Sequence, residues 1–182
     1  MENDKITERL LASDHAALDY AFDAVIQAID GNNAVESFAR LDLLWARLGM
    51  HIRAEHLCLF PAILNALSDD GARQIASLDS DSARETIEKL RDDHDYFMHE
   101  MARTIKLLRK VQAADDENSN EWQDTVRQSM IAIRHRLESH NAIEEERVYR
   151  WASMLLSGED QLNLASCVRN EVGNLPPRFR EG

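Results

Sequence analysis

A helix with an unusual face is legible in His51-Ile52-Arg53-Ala54-Glu55-His56-Leu57-Cys58-Leu59-Phe60-Pro61. His51 and Glu55 are four residues apart, and at about 100° per residue that step keeps both on one side of a helix. That side is apolar. Leu41, Leu44 and Leu48 lead into His51, and Leu59 and Ala62 continue the row. An imidazole and a carboxylate therefore stand where a core stripe belongs.

The same juxtaposition occurs on three other segments. His140-Asn141-Ala142-Ile143-Glu144 follows Val126, Met130, Ile133 and Leu137 and precedes Val148, Trp151 and Leu155. His15 lies between Leu11 and Leu18, in a row that runs on through Phe22, Ile26 and Ile29. His94 lies between Leu90 and Phe97, with Ile87, Met101, Ile105 and Leu108. The spacing predicts four long helices: about 4–30, 34–67, from a capping box at Ser82-Ala83-Arg84-Glu85 onwards, and 121–156. Gly31-Asn32-Asn33 ends the first, Pro61 marks a kink or early end in the second, and residues 72–78 are ambiguous. Asp115-Asp116-Glu117-Asn118-Ser119-Asn120 reads as a solvated loop, 159–171 as a short fifth helix, and the tail from Asn174 as irregular. Four long helices with short to moderate connections predict an all-α, antiparallel up-and-down four-helix bundle.

Composition agrees. The chain has 182 residues, 44% of them hydrophobic and 30% charged, which is globular rather than disordered. Six glycines and three prolines are too few for a turn-rich β architecture. A net charge of −12 argues against nucleic-acid binding, which needs clustered Lys and Arg. No apolar run approaches the roughly 20 residues that span a bilayer, so no membrane partner is expected. Cys58 and Cys167 are too few for a disulfide framework; Cys58, about one turn from Glu55, reads as a buried structural thiol, with a place bordering the site as the alternative. A cytoplasmic protein is the plain expectation.

One buried histidine is ordinarily a hydrogen-bonded core residue. Four on four stripes, accompanied by two glutamates, are harder to explain that way, because a buried carboxylate needs a partner. Arg53 and Arg147 lie off the stripes. Divalent ions resolve the difficulty, since imidazole nitrogens and carboxylates are their ligands. The pattern is also an internal repeat. Asp14-His15 and then His51…Glu55 make one helical hairpin; Asp93-His94 and then His140…Glu144 make the other. An aromatic, Phe60 or Tyr149, follows five residues after each glutamate.

These two ordered copies resemble the haemerythrin-like, or HHE cation-binding, family, whose repeated pattern is Asp-His followed by His-x-x-x-Glu-[Glu]-x-x-[Leu/Val]-[Phe/Tyr]-Pro. The match covers residues 14–151. The resemblance implies a single domain over 1–182, with a bundle core of about 4–156 and a short helix and tail at 157–182. It also implies two non-haem iron ions, carboxylate- and oxo/hydroxo-bridged, on His15, His51, Glu55, His94, His140 and Glu144. Manganese or zinc would suit the same nitrogen and oxygen ligands. Glu145 is the alternative carboxylate on the fourth helix, and His56 an alternative nitrogen.

The sequence departs from the oxygen carriers of the family. They carry His-x-x-x-His on the third helix, whereas Met98 stands four residues after His94 here. His99 is about 140° round from His94 and is expected to face away, as is His135. The missing histidine favours reactivity or sensing over simple oxygen carriage. The expected partners are a small diatomic ligand or peroxide and an electron-donor protein. The expected function is binding or reacting with O2, NO or peroxide in oxygen or NO sensing, detoxification or stress response. The alternative is an iron- or oxygen-responsive regulatory or interaction module without turnover, so whether the chain is an enzyme stays open here.

Overall fold

A computed structural model describes residues 6–68, 78–113 and 121–179. Among them the structure is all-α. Helices α1 (Ile6–Asp30), α2 (Ala34–Ala54), α3 (Phe60–Ala66), α4 (Ser80–Ala113), α5 (Glu121–Ile143), α6 (Tyr149–Leu155) and α7 (Gly158–Val172) follow one another. Single π-turns at Glu55–Leu59 and Glu144–Val148 join α2 to α3 and α5 to α6. Each of these pairs is thus one long rod. The rods pack α1 on α2, α2 on α4, α4 on α5 and α5 back on α1, which closes the up-and-down bundle. No helix of the described residues is long and apolar enough to cross a membrane.

The first turn forms where Gly31-Asn32-Asn33 predicted it. Asn32 takes the left-handed conformation at φ 52°, which asparagine tolerates better than most residues. Asn33 then caps α2, its side chain accepting from Glu36 N–H at 2.9 Å.

Two local expectations are corrected. Asp79, not the Ser82–Glu85 box, begins α4: its carboxylate accepts from the N–H groups of Asp81 and Ser82, and its carbonyl from Ala83. The box goes unused because Asp79 supplies the same service one turn earlier. Pro61 neither ends nor visibly breaks the second rod. It falls in the first turn of α3, immediately after the π-turn, where a missing N–H is tolerated as at a helix start. The ambiguous stretch lies outside the described residues but for Leu78, and the acidic loop lies outside them entirely.

The core has two apolar halves. One gathers Leu18, Phe22, Leu44, Leu48, Phe97, Met101, Ile133 and Leu137 with their neighbours. The other gathers Leu11, Leu59, Phe60, Ile63, Leu90, Val148 and Trp151. Every histidine of the four stripes falls between a residue of one half and a residue of the other, as His15 does between Leu11 and Leu18. The polar cluster is therefore a layer across the middle of the bundle. Helix α7 packs on α1, α2 and the first π-turn, and Ser157 caps it through Asp160 N–H. The tail, expected to be irregular, forms a short 3-10 turn at Pro177–Phe179, and Arg178 grips Asp42 with two hydrogen bonds of 3.1 and 3.0 Å.

The cysteines are a further correction, since neither is a free thiol. Cys58 and Cys167 form a disulfide across 109 residues, tying the first π-turn to α7. Two cysteines cannot make a framework, but α7 folds back over the bundle and brings the second one to the first.

Candidate metal centre

The structure brings together His15, His51, Glu55, His94, His140 and Glu144, all buried, with both carboxylates fully withdrawn from solvent. His99 and His135 are exposed, on the outside of their helices. Glu55 Oε1 lies 3.4 Å from His51 Nε2, and its Oε2 lies 3.2 Å from His94 Nε2. Glu144 Oε2 lies 3.3 Å from His15 Nε2, and its Oε1 lies 3.0 Å from His140 Nε2. Each glutamate so reaches across both halves of the site. Two four-residue sets result, His15–His51–Glu55–Glu144 and His94–His140–Glu55–Glu144, with converging ligand atoms and both carboxylates in common.

The backbone prepares this. Each π-turn starts at one of the two buried glutamates. Its widened hydrogen bond runs from the N–H of the aromatic five residues on, Phe60 to Glu55 carbonyl and Tyr149 to Glu144 carbonyl. The aromatic spacing in the sequence is thus the closure of a π-turn, a feature frequent at functional sites. Proline is not its cause, since Pro61 in one copy corresponds to Arg150 in the other.

All four imidazoles turn Nε2 inward and give Nδ1 to a partner. Asp14 sits 2.8 Å from His51 Nδ1, Glu145 2.8 Å from His15 Nδ1, and Asp93 3.3 Å from His140 Nδ1. A carboxylate only accepts, so these three Nδ1 atoms carry the proton and the inward Nε2 is the donor atom. His94 Nδ1 faces His56 Nε2 at 2.8 Å. Burial, with the charges of His94 and Arg91, lowers the His56 pKa, so His56 is neutral and accepts this bond. His56 belongs to neither four-residue set. Glu145, about half exposed, likewise stays outside and orients His15. Asp14 and Asp93, which directly precede His15 and His94 in the chain, orient the histidines of the facing helices instead.

The donor set fits cations. Inward Nε2 atoms approach in pairs, His15 to His51 at 3.2 Å and His94 to His140 at 3.0 Å, and two bare lone pairs so close repel. Protons relieve this in the metal-free chain. Burial opposes the His51 charge, but the charge of Glu55 and hydrogen bonds to Asp14 and Glu55 outweigh it and raise its pKa well above the ordinary value. His140 behaves alike: against burial, Glu144 and Asp93 push it up to about 9. Burial also works against the Glu55 charge, and His51 and His94 outweigh it, holding that carboxyl well below the usual range. Even so, Glu55 Oε2 and Glu144 Oε1 lack a well-formed hydrogen-bond partner. Among the described residues no Lys or Arg pairs with either glutamate. A cation in each set would take the place of these protons and satisfy the orphaned oxygens.

Sequence reasoning passed over the hydroxyl of Tyr149. It is 3.0 Å from His15 Nε2 and donates weakly toward Glu144 Oε2 at 3.3 Å and Glu55 Oε1 at 3.4 Å. Burial, then the charges of Glu144 and Glu55, raise its pKa well above the ordinary value, so the phenol keeps its proton. Its counterpart Phe60 stacks on His94 at 6.0 Å, and Phe97 meets His140 edge-on at 5.3 Å. One half of the site is consequently polar and the other lined by apolar rings. The polar half lies near the surface. A cleft of about 330 Å³ between α1 and α5 reaches His15, lined by Ala12, Ala16 and Ala142 and equally by Asp19, Glu138, Asn141 and Glu145.

Comparison with known proteins points the same way. A family model, the hemerythrin HHE cation binding domain, matches residues 7–152. Searches of curated proteins and of solved structures gave no match.

Proposed function

The chain belongs to the haemerythrin HHE cation-binding domain family, and on that premise we propose that it holds two iron ions and binds or reacts with O2, NO or peroxide in the bundle core. The observation that carries this reading is that two His–His pairs share one pair of buried carboxylates. His15 and His51 would hold one ion, His94 and His140 the other, and Glu55 and Glu144 would bridge them. Iron held there would supply electrons to a diatomic molecule or peroxide.

The rest is the work of this chain's residues. Asp14, Glu145, Asp93 and His56 fix the tautomer and tilt of the four imidazoles, as partners of this kind do around metals. The protonated Tyr149 hydroxyl can donate a hydrogen bond to a small ligand in the His15–His51 half. Phe60 and Phe97 exclude water from the other half. The cleft at His15, with Glu145 at its edge, would be the way in for a small molecule. An electron-donor protein is the expected partner for turnover.

Anaerobic reduction of the iron-loaded protein, followed by separate mixing with O2, NO and hydrogen peroxide under stopped-flow absorption, tests this reading. A fast spectral change with at least one of them is expected. No response to any would reduce the chain to a metal-binding bundle. A response that reverses on removing the ligand, without consumption, would favour a sensing module over a catalyst.

A further inference from the structure

Outside the candidate metal centre, the Cys58–Cys167 disulfide is a redox group attached to the π-turn that carries Glu55. Cys58 lies within the π-turn that begins at Glu55, and Cys167 lies on α7. Both sulfur-bearing residues line a surface cleft of about 530 Å³, with Leu156 and Leu164 as apolar wall and Asn65 and Asn163 as polar edge. That volume suits a small molecule. The two sulfurs are unequal: Cys58 is 6% exposed, whereas Cys167 is only partly buried.

We propose that this cleft is a thiol–disulfide exchange site that takes a low-molecular-weight thiol and adjusts the π-turn carrying Glu55. An incoming thiolate attacks Cys167 Sγ, forming a mixed disulfide there. The Cys58–Cys167 bond breaks, and Cys58 leaves as a thiolate that takes up a proton. A second thiolate attacks the external sulfur of the mixed disulfide, releasing the oxidised small disulfide and the Cys167 thiol. Two external thiols are oxidised and one protein disulfide is reduced. Exchange rates follow access to the attacked sulfur, which favours Cys167.

Opening the bond need not detach α7. Leu164, Ala165 and Val168 stay buried, Arg53 pairs with Glu171 at 2.6 Å, and Gln161 bonds the carbonyls of Ser153 and Leu156. What is released is the tether on the π-turn. The consequence for metal retention rests on the metal reading above.

The test uses the full chain with reduced glutathione, thiols being counted by alkylation and mass spectrometry. Both cysteines should become alkylatable in native buffer, at a rate unchanged by low urea. Appearance of thiols only as the chain unfolds would overturn the site. In C58S, oxidised glutathione should modify Cys167. In C167S, the buried Cys58 should react far more slowly. Equal reactivity, or an inert Cys167, would also overturn it. A chelator should strip iron from the reduced chain roughly fivefold faster than from the disulfide form, the effect of about 1 kcal/mol. Equal rates would overturn the link to Glu55. Exchange in a chain that takes up no metal in either form would leave the site standing and refute the metal reading instead.

Discussion

Asp14 holds His51, on the facing helix, and not its neighbour His15: its Oδ2 lies 2.8 Å from His51 Nδ1. Asp93 repeats this on the other hairpin, reaching His140 rather than His94. Each Asp-His pair therefore serves two imidazoles: its own histidine turns Nε2 into the site, and its aspartate supports the Nδ1 of the histidine on the facing helix. Burial works against the Asp93 charge, but hydrogen bonds from His140 and Arg136 outweigh it and lower its pKa.

Removing that support should weaken the centre without dismantling it. Asp14→Ala is expected to lower metal affinity by roughly 10- to 100-fold, measured by competition with a chelator. His99→Ala, on the exposed side of α4, should leave affinity unchanged.

Tyr149→Phe keeps the ring that packs in the core and deletes the hydroxyl. The loaded variant should hold the same amount of metal as the parent. Its ligand-binding kinetics should change, because the hydroxyl lies in the His15–His51 half. Loss of the hydrogen bonds should destabilise the metal-free chain by about 1 kcal/mol, read by urea denaturation.

The pH dependence should differ between metal-free and loaded protein. The folded pKa of His140, about 9, lies above its ordinary 6.5. A raised pKa contributes stability that is complete below the unfolded value and is lost as pH rises through the folded one. The melting temperature of the metal-free chain should thus fall as pH rises from about 6.5 to about 9. Metal uptake has the opposite sense: the ion must displace the protons on His51 and His140, so affinity should drop as pH falls.

Phe97 is fully buried and meets His140 edge-on. Phe97→Ala should cost about 3–5 kcal/mol of stability, as cavity-forming changes of this size do. A loss under 1 kcal/mol, measured by urea denaturation of the metal-free chain, would show that α4 does not lock the site's apolar side.

Much of this is readable in the chain, because helical periodicity turns spacing into direction. The steps His51 to Glu55 and His140 to Glu144 continue apolar rows, and His15 and His94 interrupt two more. Spacing alone therefore aims all six side chains inward. What stays hidden depends on how one helix sits against another. No spacing reveals that Asp14 reaches His51, that His56 turns its Nε2 to His94, or that Glu145 braces His15. The Cys58–Cys167 link is invisible for the same reason, since it needs α7 folded back over the first π-turn. The π-turns have a visible signal, the aromatic five residues after each glutamate. Its meaning is masked because an ordinary helix repeats at three and four, so a five-residue step suggests no contact. The Asp79 cap is obscured by a good box pattern one turn downstream.

Anaerobic titration of the metal-free chain with Fe(II), with bound iron counted at saturation, bears on the two shared carboxylates above all else. Binding should saturate at two ions per chain and be abolished in Glu55→Ala and His51→Ala. Saturation at one ion, no uptake, parental binding by either variant, or a resident zinc that iron cannot displace would contradict a di-iron centre bridged by Glu55 and Glu144.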